Sequence, residues 1–304
     1  MLDFTDKVAI VTGAGRGLGR AHAMLLAARG CRVVVNDLAE PDGRGPAHDV
    51  VDEIRGVGGD AVVNEASVAQ APEAIVDAAV KAFGGLDILI NNAGVFDPRP
   101  FGDFTPEEWP LQVQVHLLGG VRLCQAAWPL LKASARGKVI NTISSGVYGN
   151  SLLTGYAAAK GGLLGFSRAM AHDGGPFGID VNSVFPGAST RMQSSIDEAM
   201  QPFLKAHFQP ERVAAFVAWL VHQDTRITGE MFEVGGGVAA RVRFAHHGFV
   251  GAAAQTPEAW QDAAGMIFAE SALYPIAGTL DMAMQQTRAV DPNFRVSLDD
   301  ILEH

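Results

Sequence analysis

Val8-Ala9-Ile10-Val11-Thr12-Gly13-Ala14-Gly15-Arg16-Gly17-Leu18-Gly19 is the stretch from which the fold can be read. Its first five residues form a short apolar, β-rich run bounded by turn residues, the pattern of a buried strand. After the glycine cluster, residues 18–29 carry apolar side chains at helical spacing. A second β-branched run, Arg32-Val33-Val34-Val35-Asn36, comes next. Strand, glycine turn, helix and strand in this order open a dinucleotide-binding βαβ unit. The spacing is Gly-x-x-x-Gly-x-Gly, with Gly13, Gly17 and Gly19 in the key places. Side chains there would block the tight turn or hold a pyrophosphate away from the free amides and dipole of the helix N-terminus. Asp37 ends the second strand, where a carboxylate accepts hydrogen bonds from ribose hydroxyls and repels a 2′-phosphate. It favours NAD over NADP. Arg16 is the contrary hint, because a guanidinium suits that phosphate.

The alternation continues outward from this unit. Strands are predicted over 61–63, 86–90, 139–143, 179–184 and 231–234, and helices over 72–83, 106–132 and 210–222. Thr105 is the expected N-cap of the long helix, and another helix carries Tyr156 and Lys160 as far as about His172. Strands alternating with helices of this length imply a doubly wound α/β Rossmann fold, a parallel sheet with helices on both faces. That domain is expected over residues 1–237. Residues 238–304 are less periodic and read as a mostly helical extension. Its predicted helices span 257–271 and 280–288, capped by Thr256 and Thr279, with Trp260, Ala264, Ile267 and Phe268 on one stripe. This extension has three open readings: covering the sheet edge, closing over a substrate cleft, or packing on a partner subunit.

Composition narrows the function. The 304 residues are 48% hydrophobic and include 35 glycines, a globular balance. A net charge of −10 argues against a nucleic-acid binder. Cys31 and Cys124 are the only cysteines and form no Cys-x-x-Cys pair, which argues against a disulfide framework or thiolate zinc site. Nine histidines are scattered without His-Glu-x-x-His spacing, so no metal is expected and a metal hydrolase is disfavoured. The N-terminal residues show no basic and apolar leader, and no run of about 18 uncharged apolar residues appears. A cytoplasmic protein without a membrane span is expected.

The chemistry-bearing pair is Tyr156-Ala157-Ala158-Ala159-Lys160. Residues four apart on a helix share one face, so the phenol and the ammonium are brought together. A free phenol titrates near about 10, outside the range of a useful acid–base at neutral pH. A positive charge about 4 Å away contributes roughly 4 kcal/mol at an effective dielectric near 20, equal to about three pKa units. The expectation is a tyrosine brought towards the working range of general acid–base catalysis.

Taken together, Thr12-Gly13-x-x-x-Gly17-x-Gly19, Asn91-Asn92-Ala93-Gly94, Ser144-Ser145, Tyr156-x-x-x-Lys160 and Pro186-Gly187 resemble the short-chain dehydrogenase/reductase family over residues 5–237. A closer likeness, carried by Val33 to Leu38, Val115-His116-Leu117, Val147-Tyr148-Gly149-Asn150 and Phe232-Glu233-Val234-Gly235, is to its (3R)-hydroxyacyl-CoA dehydrogenase branch from peroxisomal multifunctional enzyme type 2 and bacterial relatives. The resemblance implies a seven-stranded sheet, NAD, oxidation of a secondary alcohol to a ketone, and a homodimer or homotetramer. It implies Tyr156 as proton carrier, Lys160 as its activator and ribose contact, and Ser144, with Ser145 as rival, orienting the substrate. Cofactor contacts are implied at Gly13, Arg16, Gly17, Leu18, Gly19, Asp37, Leu38, Ser67, Val68, Asn92, Gly94, Tyr156, Lys160, Pro186, Gly187 and Thr190. His116 stands where the family often has a relay asparagine, and Ala66 where it has an adenine-facing aspartate. Residues 191–207 would form a substrate loop containing Met192, Met200 and Phe203, while Arg99 and Arg191 read first as solvated surface charges and second as contacts to a CoA phosphate. A 3-hydroxyacyl thioester is the first expected substrate, and a hydroxysteroid or other bulky cyclic or aromatic alcohol the second. A dinucleotide-sensing protein without chemistry is the rival from another class.

Overall fold

The computed structural model describes residues 2–41, 43–105, 109–189 and 200–295. The chain divides into two units, Met1–Arg241 and Val242–His304. In the first, β1 (Val8–Thr12), α1 (Gly17–Ala27) and β2 (Arg32–Asn36) realise the expected opening unit. Next come α2 (Pro46–Gly56), β3 (Ala61–Asn64), α3 (Pro72–Phe83) and β4 (Ile88–Asn91). Helix α2 is additional to the expected elements, although its Ala47, Val50, Val51 and Ile54 are buried at helical spacing behind Pro46.

The helix expected over 106–132 is segmented. Residues 106–108, where its start and the Thr105 cap would be decided, lie outside the described residues. The described part consists of α4 (Trp109–Gln112), a π-helical stretch Val113–Gly119 and α5 (Gly120–Ala133). A π-helical turn re-aims the side chains it carries, and His116 is one of them. The unit continues through β5 (Lys138–Thr142), α6 (Thr154–Gly174), β6 (Asp180–Gly187), α7 (Gln201–His207), α8 (Pro210–Leu220), β7 (Met231–Gly235) and β8 (Val238–Val242).

The sheet order is β3-β2-β1-β4-β5-β6-β7-β8, and every pair from β3 to β7 is parallel. The eighth strand corrects the expected seven. Gly236 and Gly237, with φ of 61° and 85°, make the two-residue turn that carries the sheet past residue 237. Strands joined so tightly run antiparallel.

Burial follows the pleat. Ala9, Val11, Val33 and Val35 pack on one face against Leu26 of α1, Ile54 of α2 and Val217 of α8. Val8, Ile10 and Val34 pack on the other against Ile75 of α3, Leu131 of α5 and Met170 of α6. Each fully buried branched side chain contributes about 1.5–3 kcal/mol. The strand order reverses between β1 and β4, which opens a crevice at their carboxyl ends.

The second unit contains a short antiparallel pair, β9 (Ala245–His246) with β10 (Tyr274–Pro275), and two helices, α9 (Pro257–Ile267) and α10 (Thr279–Val290). Thr256 caps α9 by accepting the amide of Ala259 at 3.2 Å. Thr279 is the first helical residue of α10 and Gly278 holds the cap position, one residue from expectation. The stripe of α9 is not core: Trp260, Ile267 and Phe268 are exposed.

Candidate active site

A cleft of about 820 Å³ opens above β1, β2 and β4. Its walls include Gly13, Arg16, Gly17, Leu18, Asp37, Leu38, Ser67, Val68, Asn92 and Gly94. The volume lies in the range of small-molecule and cofactor sites. Whether a dinucleotide fits can be judged from the glycine loop itself. Gly13 has φ of +61°, and a Cβ there would stand 2.9 Å from Ala93 Cα. A Cβ on Gly19 would collide with the Gly13 carbonyl, so Gly19 lies beneath the loop rather than in the cleft wall. Any side chain at either place would move the loop off the N-terminus of α1. The residues present fit a pyrophosphate.

Neighbouring groups hold this loop in place. Asn92 Nδ2 donates to the carbonyls of Thr12 and Gly13 at 2.9 and 3.2 Å. Thr12 Oγ1 accepts the amides of Asn92 and Ala93, both at 3.0 Å. Asp37 Oδ2 accepts the amide of Gly15 at 2.9 Å, and Oδ1 that of Leu38 at 2.9 Å. The Arg16 guanidinium is paired with Glu40. Ser67 caps a turn by accepting the amide of Ala69, and Ala66 occupies the wall nearby. Pro186 and Gly187 end β6 outside the cleft walls, with Gly187 against Phe208; Ser189 reaches the cleft instead. Thr190, Arg191 and Met192 lie outside the described residues.

The structure brings Ser144, Tyr156 and Lys160 together. Ser144 follows the carboxyl end of β5, and its hydroxyl hydrogen-bonds the Tyr156 phenol while accepting the Gly146 amide at 3.1 Å. Ser145 is exposed and begins a short 3-10 turn, Ser145–Tyr148. Tyr156 and Lys160, one turn apart on α6, are both buried. Lys160 Nζ donates to the Thr142 carbonyl at 2.5 Å and stands 5.8 Å from the Tyr156 ring centre.

This geometry corrects the electrostatic expectation. Burial pushes the Tyr156 phenol above its ordinary value, and the Ser144 hydrogen bond only opposes that rise. Burial also pushes the Lys160 amine down to about 7. The simple 4 Å ion pair fails because the amine points at a carbonyl and both groups have lost their water.

His116 meets the Tyr156 ring edge-on at 5.0 Å, and Phe96 does so from another side at 5.4 Å. His116 Nε2 lies 2.6 Å from the Val95 carbonyl, while its buried Nδ1 has no partner. Burial and the Lys160 charge lower its pKa to about 3, so the imidazole is neutral. Beside it is a cavity of about 10 Å³ lined by Thr12, Asn91, His116 and Lys160, large enough for one water. A Cβ on Gly94 would collide with the imidazole, which explains the glycine there.

Arg99 is engaged by Asp97 and stacks over Phe104 at 5.0 Å, so the expected phosphate contact is occupied within its own loop. Met200 and Phe203 are exposed, and Phe203 packs against His207 and Phe208. Gln201 and Lys205 of α7 face the cleft, as does Val95, none of them expected. No periodicity marks the first two; Val95 adjoins the Asn91–Gly94 motif, which is the available signal. Among the described residues no group of His, Cys, Asp or Glu could hold a metal ion, and no helix is long and apolar enough to cross a membrane.

Residues 7–201 match the family described as short chain dehydrogenase, and the chain belongs to it. That family is one of oxidoreductases whose members use NAD(H) or NADP(H) and act on small molecules. The chain is 40% identical over 250 residues to the peroxisomal hydratase-dehydrogenase-epimerase of Saccharomyces cerevisiae, covering 80% of this chain and 27% of that one. It superimposes on full-length peroxisomal multifunctional enzyme type 2 from Drosophila melanogaster with a TM-score of 0.79 at 30% identity, covering 95% and 50%. It is also 35% identical over 243 residues to trans-4-hydroxycyclohexanecarboxylate dehydrogenase of Sinomonas cyclohexanicum, covering 77% and 93%. The chain thus spans about a quarter to a half of the two multifunctional relatives.

Proposed function

We propose that the chain is an NAD-dependent dehydrogenase that interconverts a secondary alcohol and a ketone, with a 3-hydroxyacyl thioester as substrate. The observation that carries this reading is the cluster of Ser144 with the buried Tyr156 and Lys160 beside the cofactor cleft. NAD, when bound, supplies the hydride acceptor. Gly13, Gly17 and Leu18 of the cleft wall would hold its pyrophosphate and Asp37 its adenosine ribose, while the family resemblance assigns its second ribose to Lys160. Among the chain's own groups, Tyr156 exchanges the proton with the substrate oxygen. Ser144 donates a hydrogen bond to that oxygen, and the charged form of Lys160 lowers the cost of the phenolate. Because the phenol is held high, it is protonated at neutral pH and ready to act as an acid on a ketone. In the oxidative direction the proton must leave, so turnover rises with pH while Lys160 keeps its charge and falls once that amine loses its proton.

The thioester rests on the 40% identity to the yeast hydratase-dehydrogenase-epimerase and on the motifs shared with that branch. A second reading, a cyclic alcohol, is favoured by the match to the Sinomonas enzyme across 93% of its length. A homodimer or homotetramer in the cytoplasm completes the proposal, and light scattering and imaging of a tagged full chain test those two points. The substrate experiment is NADH formation by the purified chain with a (3R)-3-hydroxyacyl-CoA series and a cyclic-alcohol series in parallel. Greater kcat/KM on the thioesters supports the first reading. Turnover of the cyclic alcohols alone replaces it with the second, and silence on both series with tight NAD binding contradicts the dehydrogenase.

A further inference from the structure

The cofactor loop carries a cation, Arg16, in a place that a 2′-phosphate could use and that NAD, without that phosphate, leaves unmatched. Arg16 is placed between Gly15 and Gly17, in extended backbone at the N-cap of α1, and its side chain reaches the same cleft wall as Asp37. A guanidinium there suits a ribose 2′-phosphate. It is not left available, however, because Glu40 in the loop after β2 holds it in an ion pair. Asp37 cannot take over that task. Its two oxygens accept the amides of Gly15 and Leu38, each at 2.9 Å, which anchors the carboxylate on the loop side and leaves its other lone pairs for ribose hydroxyls. A Cβ on Gly15 would press to 2.8 Å from that carboxylate and 2.5 Å from Pro46, so the loop has no slack to swing.

The surroundings follow the same pattern. Arg20 is paired with Glu53, and Arg44 with Asp49 and Asp52, the last at 2.8 Å. His48 is 3.2 Å from Glu65, whose carboxylate also accepts the Gly45 amide. Each arginine of the glycine loop, the start of α1 and the β2–α2 loop therefore faces a carboxylate. As a stabilising contact the Arg16–Glu40 pair is minor, since exposed ion pairs contribute about 0–1 kcal/mol. Its weight falls on ligand choice.

We propose that Glu40 is a specificity-determining residue: by holding Arg16, it withholds the glycine-loop cation from a 2′-phosphate and so enforces NAD over NADP. This rests on the NAD reading given above and adds to Asp37 a second residue that acts through Arg16. Glu40 is a positioning residue, since it touches the arginine and not the cofactor.

The test uses ligands that undergo no chemistry. Adenosine 2′,5′-bisphosphate and 5′-AMP are titrated calorimetrically into the full chain, its Glu40→Gln variant and the Arg16→Ala/Glu40→Gln double variant. We expect Glu40→Gln to bind the bisphosphate about tenfold more tightly with 5′-AMP binding unchanged. The double variant should lose that gain. An unchanged ratio of the two ligands in Glu40→Gln overturns the proposal. So does a gain that survives loss of Arg16, because it would mean simple removal of a like charge. If the parent chain itself prefers the bisphosphate to 5′-AMP, the NAD reading falls, whatever Glu40→Gln does. Melting of Glu40→Gln at the parental temperature shows that the fold is retained; should it melt lower, Glu40→Ala repeats the comparison.

Discussion

The glycine loop and the Tyr156 cluster stand at the carboxyl ends of one sheet, yet they are built in opposite ways. Around Gly13 and Gly19 the determinant is backbone: positive φ, close approach and amides left free at the start of α1. Around Tyr156 and Lys160 it is environment. Two ionisable groups are stripped of water, one pushed up and the other pushed down to about 7. Binding is coded in shape that the local sequence dictates. The proposed proton transfer rests on burial that only the assembled α6, β5 and π-helical segment provide.

The contrast is broken most sharply at the phenol. Tyr156→Phe should lower kcat by about 10³-fold with far-ultraviolet dichroism and NAD binding retained. A variant that keeps a tenth of parental turnover would remove Tyr156 from the chemistry. At the other end, Gly19→Ala must displace the Gly13 carbonyl. We expect a loss of about 1–3 kcal/mol in denaturant unfolding, with NAD binding weakened in the same variant. Parental NAD affinity would show that the loop is not shape-coded.

Smaller effects sharpen the environmental side. Lys160 is held below its unfolded value of 10.5, so its buried charge destabilises the fold below that pH and does so increasingly down to about 7. Lys160→Met should therefore unfold at higher urea concentration at pH 7, by about 1 kcal/mol after the Thr142 carbonyl loses its partner, and the gain should shrink with rising pH and turn into a loss near pH 10.5, where only the lost partner counts. Denaturation at three pH values decides it, and a gain constant with pH would point to packing alone. His22 is buried, without a partner at Nδ1, and held down to about 4 by burial. The unfolded chain protonates first, so stability falls as pH drops from about 6.5 towards 4. Near pH 5.5 the loss is about 1 kcal/mol, and His22→Leu should lack that part of the slope.

How much of this is visible in the sequence follows the same division. The βαβ opening, the family and the glycine positions can be read because each is a local backbone requirement. Helix α2 and strand β8 carry local signals too, beyond those the expected elements rest on: Val50, Val51 and Ile54 repeat at helical spacing, and Gly236-Gly237 is a hairpin signal. The π-helical turn at Val113–Gly119 carries no such mark. It brings His116 against Gly94 and the Tyr156 ring, contacts between residues far apart in sequence. The Tyr156 shift runs opposite to expectation for a related reason. Four-residue spacing gives proximity on a helix but says nothing of the dry pocket or of the Thr142 carbonyl that captures the amine.

That pocket can be observed directly at the amine. In the cofactor-free chain labelled with ¹³C at lysine Cε, with Lys160→Met used to assign the signal, the Lys160 resonance should titrate near pH 7. A titration near the ordinary value of 10.5 would mean a solvated ammonium beside the phenol, and the burial-built proton-transfer cluster proposed for Ser144, Tyr156 and Lys160 would be wrong.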